Sequence, residues 1–150
     1  CQLHPMAARY DAQTREAFFQ PSYDCIVDAI DLVSCKLDLI ETAHARNIPI
    51  ISAMGTGNKL DAQQLRIADL SKTEGCPLAR VVRKELKARG ILHHPVVFSP
   101  ELPSRAHDGT ETPPPGRRSI PASSMWVPAS AGLLLAQWVI SYLTDENTAH

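Results

Sequence analysis

The sequence predicts an α/β fold, a mixed sheet with flanking helices, and three observations predict it. Residues 23–28 read as a short apolar strand, and two acidic residues three apart, Asp28 and Asp31, stand at its end. A helical pattern over residues 34–46 leads to a second apolar strand at residues 48–54. Strand, helix and strand within about thirty residues make a right-handed parallel crossover. Residues 77–89 then repeat the alternation as a helix that Pro77 opens and Gly90 closes, with an apolar strand at 95–99 behind it.

In chain order, residues 13–20 form a short helical or irregular approach, with Phe18 and Phe19 as packing anchors. In the helix of 34–46, Cys35, Leu39 and Ala43 fall four apart on one face with Ile40 beside them, and Asn47 is a stop. Pro49 lies near the start of the second strand, where a missing donor is tolerated. Residues 65–70 alternate Leu65 and Ile67 inward, with Leu70 a further candidate, as a third strand. The helix of 77–89 has Leu78, Val82 and Leu86 for its inner face, joined by Val81. Prolines and glycines crowd residues 100–121, and a mobile loop is expected there. Residues 127–143 form a last helix with Pro128 in its first turn. It is apolar nearly all round, so it is expected to be buried, or half buried in a subunit interface. A membrane span is the rival reading, and Pro128, Ser130, Gln137 and Ser141 interrupt it.

The 150 residues make one domain, residues 1–150, long enough to bury about two-thirds of the unfolded surface. A net charge of −1 does not mark the whole chain as a binder of nucleic acid or membrane surface. The four cysteines form no Cys-x-x-Cys pair, so no zinc site is expected. Cys25 in an apolar strand and Cys35 on a helix suit reduced thiols in a cytoplasm. No basic leader with an apolar core suggests a secretory signal. Among seven glycines only Gly55-Thr56-Gly57 is a close pair, so a glycine-rich phosphate loop is missing from these residues.

Four places carry candidate chemistry. Asp31 stands at a strand end, where ligands of open α/β sheets sit. It reads either as a carboxylate for magnesium and phosphate, with Lys36 as a nearby cation, or as a helix cap. Cys76 precedes a helix start and is expected to be exposed, either a reactive thiol or an ordinary loop cysteine. Arg80, Arg83, Lys84 and Lys87 form a basic helix face, for RNA phosphates or for solvent. His93-His94 is discounted as a metal pair, since neighbours on a strand point to opposite faces. Trp126 and Trp138 read as core or interface anchors.

The order of these pieces resembles the adenylating family that includes ubiquitin-activating enzymes and the ThiF, MoeB and HesA proteins. The branch it most resembles is that of tRNA threonylcarbamoyladenosine dehydratases. Residues 27–36, Val-Asp-Ala-Ile-Asp-Leu-Val-Ser-Cys-Lys, resemble the branch's strand-end aspartate segment. Residues 67–73 with Pro77-Leu78-Ala79-Arg80 and Leu86-Lys87 resemble its central connector and helix. Val127-Pro128 with Ala131-Gly132-Leu133 resembles its terminal helix.

The resemblance implies the second half of a Rossmann-like ThiF-type domain, with the phosphate-loop half missing. It implies ATP and magnesium as cofactors of a complete parent protein, with Asp31 on the metal and phosphate side and Lys36 at a basic position beside the cofactor. It implies activation of a carboxylate, that of the threonylcarbamoyladenosine side chain of tRNA, for a cyclising dehydration. One alternative is adenylation of a ubiquitin-like sulfur-carrier C-terminus. Another, of a different class, is a non-catalytic dimerisation or partner-binding domain. Expected partners are a second copy in a homodimer, tRNA, and a sulfur-transfer or carrier protein. No membrane is expected, and the 150 residues alone are expected to be inactive.

Overall fold

The computed structural model describes residues 2–20, 22–104 and 122–144. Its elements run α1 (Arg15–Phe18), β1 (Ile26–Asp28), α2 (Val33–Ala45), β2 (Ile50–Ala53), β3 (Arg66–Asp69), α3 (Pro77–Ala88), β4 (Pro95–Phe98) and α4 (Trp126–Thr144). The sheet order is β1-β2-β4-β3. The β1–β2 and β2–β4 pairings are parallel, and β3 joins β4 antiparallel. The sheet is therefore mixed, as the sequence predicts. Strands β1, β2 and β4 end along one rim, and the site lies on that rim.

Alternation along the strands divides the core into two layers. Ile50, Val96 and Phe98 face α2 and α3, where they meet Leu37, Ile40, Ala43, Val82 and Leu86. Ile51 and Val97 face the other way and meet Ala131 and Leu135 of α4. Phe19 joins the first layer, with Phe18 partly buried against it. The two anchors of the N-terminal approach thus pack as expected.

The helix stops follow their chemistry. Asn47 takes φ 55° just past α2, and Gly90 takes φ 81° just past α3. Asn and Gly tolerate that left-handed conformation better than other residues. Helix α2 buries Cys35, Leu39 and Ala43 as the pattern requires, and Lys36 with them.

Helix α3 departs from its expected inner face. Ala79, Val82 and Leu86 are buried, whereas Val81 is 46% exposed and Leu78 is half-buried. The helix is rotated so that Ala79 fits against the sheet, while Leu78 packs at the edge of the core and reaches the crevice. The expected strand over 65–70 is shorter, β3: Leu65 just before it and Ile67 within it pack with the α4 layer, and Leu70 lies in the opposite layer, in a 3-10 turn after the strand.

Helix α4 is not buried by this chain. Only Val127, Ala131 and Leu135, four apart, are buried. Leu133, Ile140 and Leu143 are exposed, as is Trp126, whose Nε1 donates to the Leu60 carbonyl at 2.7 Å. By length and composition α4 could cross a membrane, and 17% of its apolar window is buried.

Most of the expected mobile loop, residues 105–121, lies outside the described residues. Its described flanks converge on Asn58. Ser104 N donates to the Asn58 carbonyl at 2.7 Å. Asn58 N donates to the Ala122 carbonyl at 2.7 Å, and Ala122 N donates back to Asn58 Oδ1 at 2.9 Å.

Candidate functional site

A crevice of about 470 Å³ opens where β1 and β2 end. One lip is Ala29, Ile30 and Asp31, which continue β1. The other is the run Met54, Gly55, Thr56 and Gly57, which continues β2. Leu78 closes one end, and Pro128, Ala131 and Gly132 of α4 form the back wall. Small residues in that wall keep the crevice open. This is the carboxyl-end position where parallel sheets hold ligands.

Asp31 lies exposed on the first lip. It stands one residue before the N-cap of α2, Leu32, which makes no side-chain cap bond. The turn that carries Asp31 is set by Asp28, whose Oδ1 accepts from Ile30 N at 2.9 Å. Asp28 itself is fully buried.

Lys36 is not in the crevice. Its side chain is 0% exposed, and Nζ donates to Asp28 Oδ2 at 2.5 Å and to the Ala53 carbonyl at 3.0 Å. Burial pushes the Lys36 ammonium below the usual lysine range, opposed by the Asp28 carboxylate and then by Asp31. Asp31 and Lys36 are thus neighbours through Asp28, not two groups facing one ligand.

Cys76 corrects the sequence expectation. It is 5% exposed, at the N-cap of α3 beneath the Gly55 turn. An exposed thiol was expected because loops before helices usually lie on the surface. Here the second lip passes over it and seals it into the core.

The four basic residues of α3 separate into two kinds. Arg80, Lys84 and Lys87 are exposed. Arg83 is half-buried, and its Nη1 donates to the Thr73 carbonyl and to Thr73 Oγ1, each at 2.7 Å. It ties the β3–α3 connection to the helix, so its guanidinium is already engaged.

Two buried polar clusters are absent from the sequence reading. His94 is 1% exposed, with Nε2 2.8 Å from Ser52 Oγ and Nδ1 3.3 Å from His44 Nε2. Burial pushes His94 down to about 3, and His44 and Lys36 push the same way. His93 points outward to Asp69, so the pair divides across the chain as expected. Lys59 is 1% exposed and donates to the carbonyls of Ser99 and Glu101 at 2.6 and 2.8 Å. Both clusters join residues about forty positions apart, which no local pattern displays. Among the described residues no group of three His, Cys, Asp or Glu side chains could hold a metal ion.

No family model matches the chain. It is 35% identical over 154 residues to the tRNA threonylcarbamoyladenosine dehydratase of Bacillus subtilis, covering 97% of this chain and 61% of that protein. It is 44% identical over 106 residues to tRNA threonylcarbamoyladenosine dehydratase 2 of Saccharomyces cerevisiae, covering 69% of this chain and 24% of that protein. The crystal structure of the Escherichia coli tRNA N6-threonylcarbamoyladenosine dehydratase in complex with AMP superposes with a TM-score of 0.80 at 23% identity, over 97% of this chain and 58% of that one. The same protein has also been solved in complex with ATP. The structural likeness shows that the fold is shared. The chain spans about three-fifths of the Bacillus subtilis protein and of the solved Escherichia coli chain.

Proposed function

The chain is homologous to the tRNA threonylcarbamoyladenosine dehydratases over the 61% of the Bacillus subtilis protein that it spans, and from that premise we propose that it forms part of an ATP-dependent tRNA-modifying enzyme. In this reading the crevice holds the nucleotide, and the threonyl carboxylate of the modified adenosine attacks the α-phosphate. Pyrophosphate leaves, and ring closure then expels AMP with the carboxylate oxygen. The observation that carries the reading is the place of Asp31, an exposed carboxylate on the lip of a crevice at the ends of parallel strands.

The residues present suit a magnesium ion that arrives with the nucleotide. Magnesium is commonly held by one or two carboxylates plus phosphate oxygens and water, and Asp31 supplies one such carboxylate. When bound, the ion would neutralise charge on the departing pyrophosphate. Asp31 would hold it, and the Asp28 turn orients Asp31. The three described cysteines are free thiols, which fits a reducing compartment such as the cytoplasm.

The test is Asp31→Asn in the full-length protein that carries this chain. Pyrophosphate release should fall by on the order of 10²-fold while the urea midpoint stays put. Unchanged release would leave Asp31 as a turn residue only. A second reading, a dimerisation or partner-binding domain, is favoured by the exposed apolar face of α4. That reading would stand alone if the full-length protein carries no glycine-rich phosphate loop and releases no pyrophosphate.

A further inference from the structure

We propose that Lys36 is a positioning residue that fixes the two lips of the crevice against each other without touching the nucleotide. The proposal rests on the crevice being the nucleotide site. The β1–β2 register ends with Asp28 opposite Ser52. Just past that pair, the chain leaves β1 for Asp31 and leaves β2 for the run 54–57. Lys36 Nζ spans this point, bonded to the last residue of β1 by its carboxylate and to the last residue of β2 by its carbonyl.

The Asp28 carboxylate carries the constraint onward. Oδ2 takes the lysine and Oδ1 takes Ile30 N, one residue before Asp31. A continuous path of hydrogen bonds therefore runs from the Ala53 carbonyl through Lys36 and Asp28 to the turn that presents Asp31. On the far side, Met54 N donates to the Val97 carbonyl at 2.8 Å, which ties the second lip to β4.

Stability alone does not account for a lysine at this place. Apolar residues of similar volume commonly replace a buried ion pair with no loss, or with a gain. What an apolar pair lacks is direction. An ammonium with fixed acceptors holds a carboxylate and a carbonyl at set distances, and the lips inherit that spacing. A reacting group displaced by about 1 Å can cost about 10²-fold in rate, so the spacing bears directly on turnover.

The experiment compares Lys36→Met, Lys36→Arg, Asp28→Asn and the Lys36→Met/Asp28→Asn double variant in the full-length protein. Hydrogen exchange at residues 29–31 and 54–57 is read against residues 82–86 of α3. Lys36→Met and Asp28→Asn should each speed exchange at both lips by about tenfold, with α3 changed less than about twofold. The double variant should be no faster than either single one, because the two side chains act as one link. In steady state Lys36→Met should lower kcat for pyrophosphate release by about tenfold with little change in KM for ATP. Lys36→Arg should recover kcat to within about threefold.

Unchanged exchange at the lips overturns the proposal. So does exchange that rises equally in α3, which would mark a purely structural ion pair. A folded Lys36→Arg variant as slow as Lys36→Met also overturns it. If Lys36→Met does not fold, Asp28→Asn decides alone, since it keeps side-chain size. Absence of pyrophosphate release in the unsubstituted protein would defeat the nucleotide reading, while the exchange data would still decide whether Lys36 fixes the lips.

Discussion

Ser52 Oγ and His94 Nε2 lie 2.8 Å apart in the sealed centre of the sheet. That bond belongs to a neutral imidazole. His44 and Lys36 of α2 face His94 with positive or potentially positive charge, and Asp69 of β3 opposes them more weakly. Burial above all, and then these charges, keep His94 from protonating until about pH 3 in the folded state. In the unfolded chain it protonates near pH 6.5.

The sign of the pH dependence follows. The stability tied to neutral His94 is fully present above about pH 6.5 and is lost progressively as pH falls toward about 3, because only the unfolded chain takes up the proton across that window. The loss should be on the order of 5 kcal/mol over the whole window, about 3 kcal/mol of it by pH 4. His44, also pushed down by burial, adds to it with the same sign. Urea midpoints of His94→Gln between pH 7 and 4 should show a visibly flatter slope. Parallel slopes for both proteins would contradict this.

Asn58 adopts φ 57° and makes the reciprocal bonds to Ala122. Asn58→Ala combines left-handed strain with a lost acceptor and should cost about 1–3 kcal/mol. Asn58→Gly relieves the backbone and should cost less, although it also lacks Oδ1. Equal destabilisation by the two substitutions, read from urea titrations, would mean that the conformation contributes nothing.

Arg80, Lys84 and Lys87 are the exposed cations of α3, and Arg83 is not interchangeable with them. If tRNA phosphates meet this face, changing Lys84 and Lys87 to Gln should weaken binding by the full-length protein. Each lost contact should reduce the slope of log affinity against log salt by about 0.7–0.9. A double variant with the parent's affinity and slope would leave the face as solvated surface.

The exposed side of α4 is the surface we propose for association with a second copy. Leu133, Ile140 and Leu143 present apolar area that this chain leaves uncovered. Leu133→Lys with Ile140→Lys should convert a dimer into a monomer in light scattering, with the thermal melt of the fold retained. A monomer before substitution, or a dimer after it, would count against this surface.

Elements with a local signature were legible in the sequence. Pro77 and Gly90 bracket α3, Asn47 ends α2, and the apolar strands at β2 and β4 lie where their runs are. Asp31 could be placed at a strand end because a strand's end is itself local. The remainder depended on contacts between distant residues. Val81 departs from the expected inner face because a helix's rotation is set by the sheet it meets, and Ala79 fits there. Cys76 looked exposed because the run 54–57 that covers it lies some twenty residues earlier. The partnership of Lys36 with Asp28 was hidden because the two stand on different elements, β1 and α2, so no single periodicity relates them.

The strand order also governs biosynthesis. In the sheet β4 lies between β2 and β3, yet it is the last of the four strands to be translated. When β3 emerges from the ribosome, its eventual neighbour does not exist, and one edge of β2 stands open. At about 5–20 residues per second, that edge waits a few seconds for residues 54–94 to be made. Ile51 is uncovered throughout that interval, because α4, whose Ala131 and Leu135 cover it, is translated later still. The nascent chain thus has a short window in which a chaperone, or a neighbouring nascent chain, competes with its own β4.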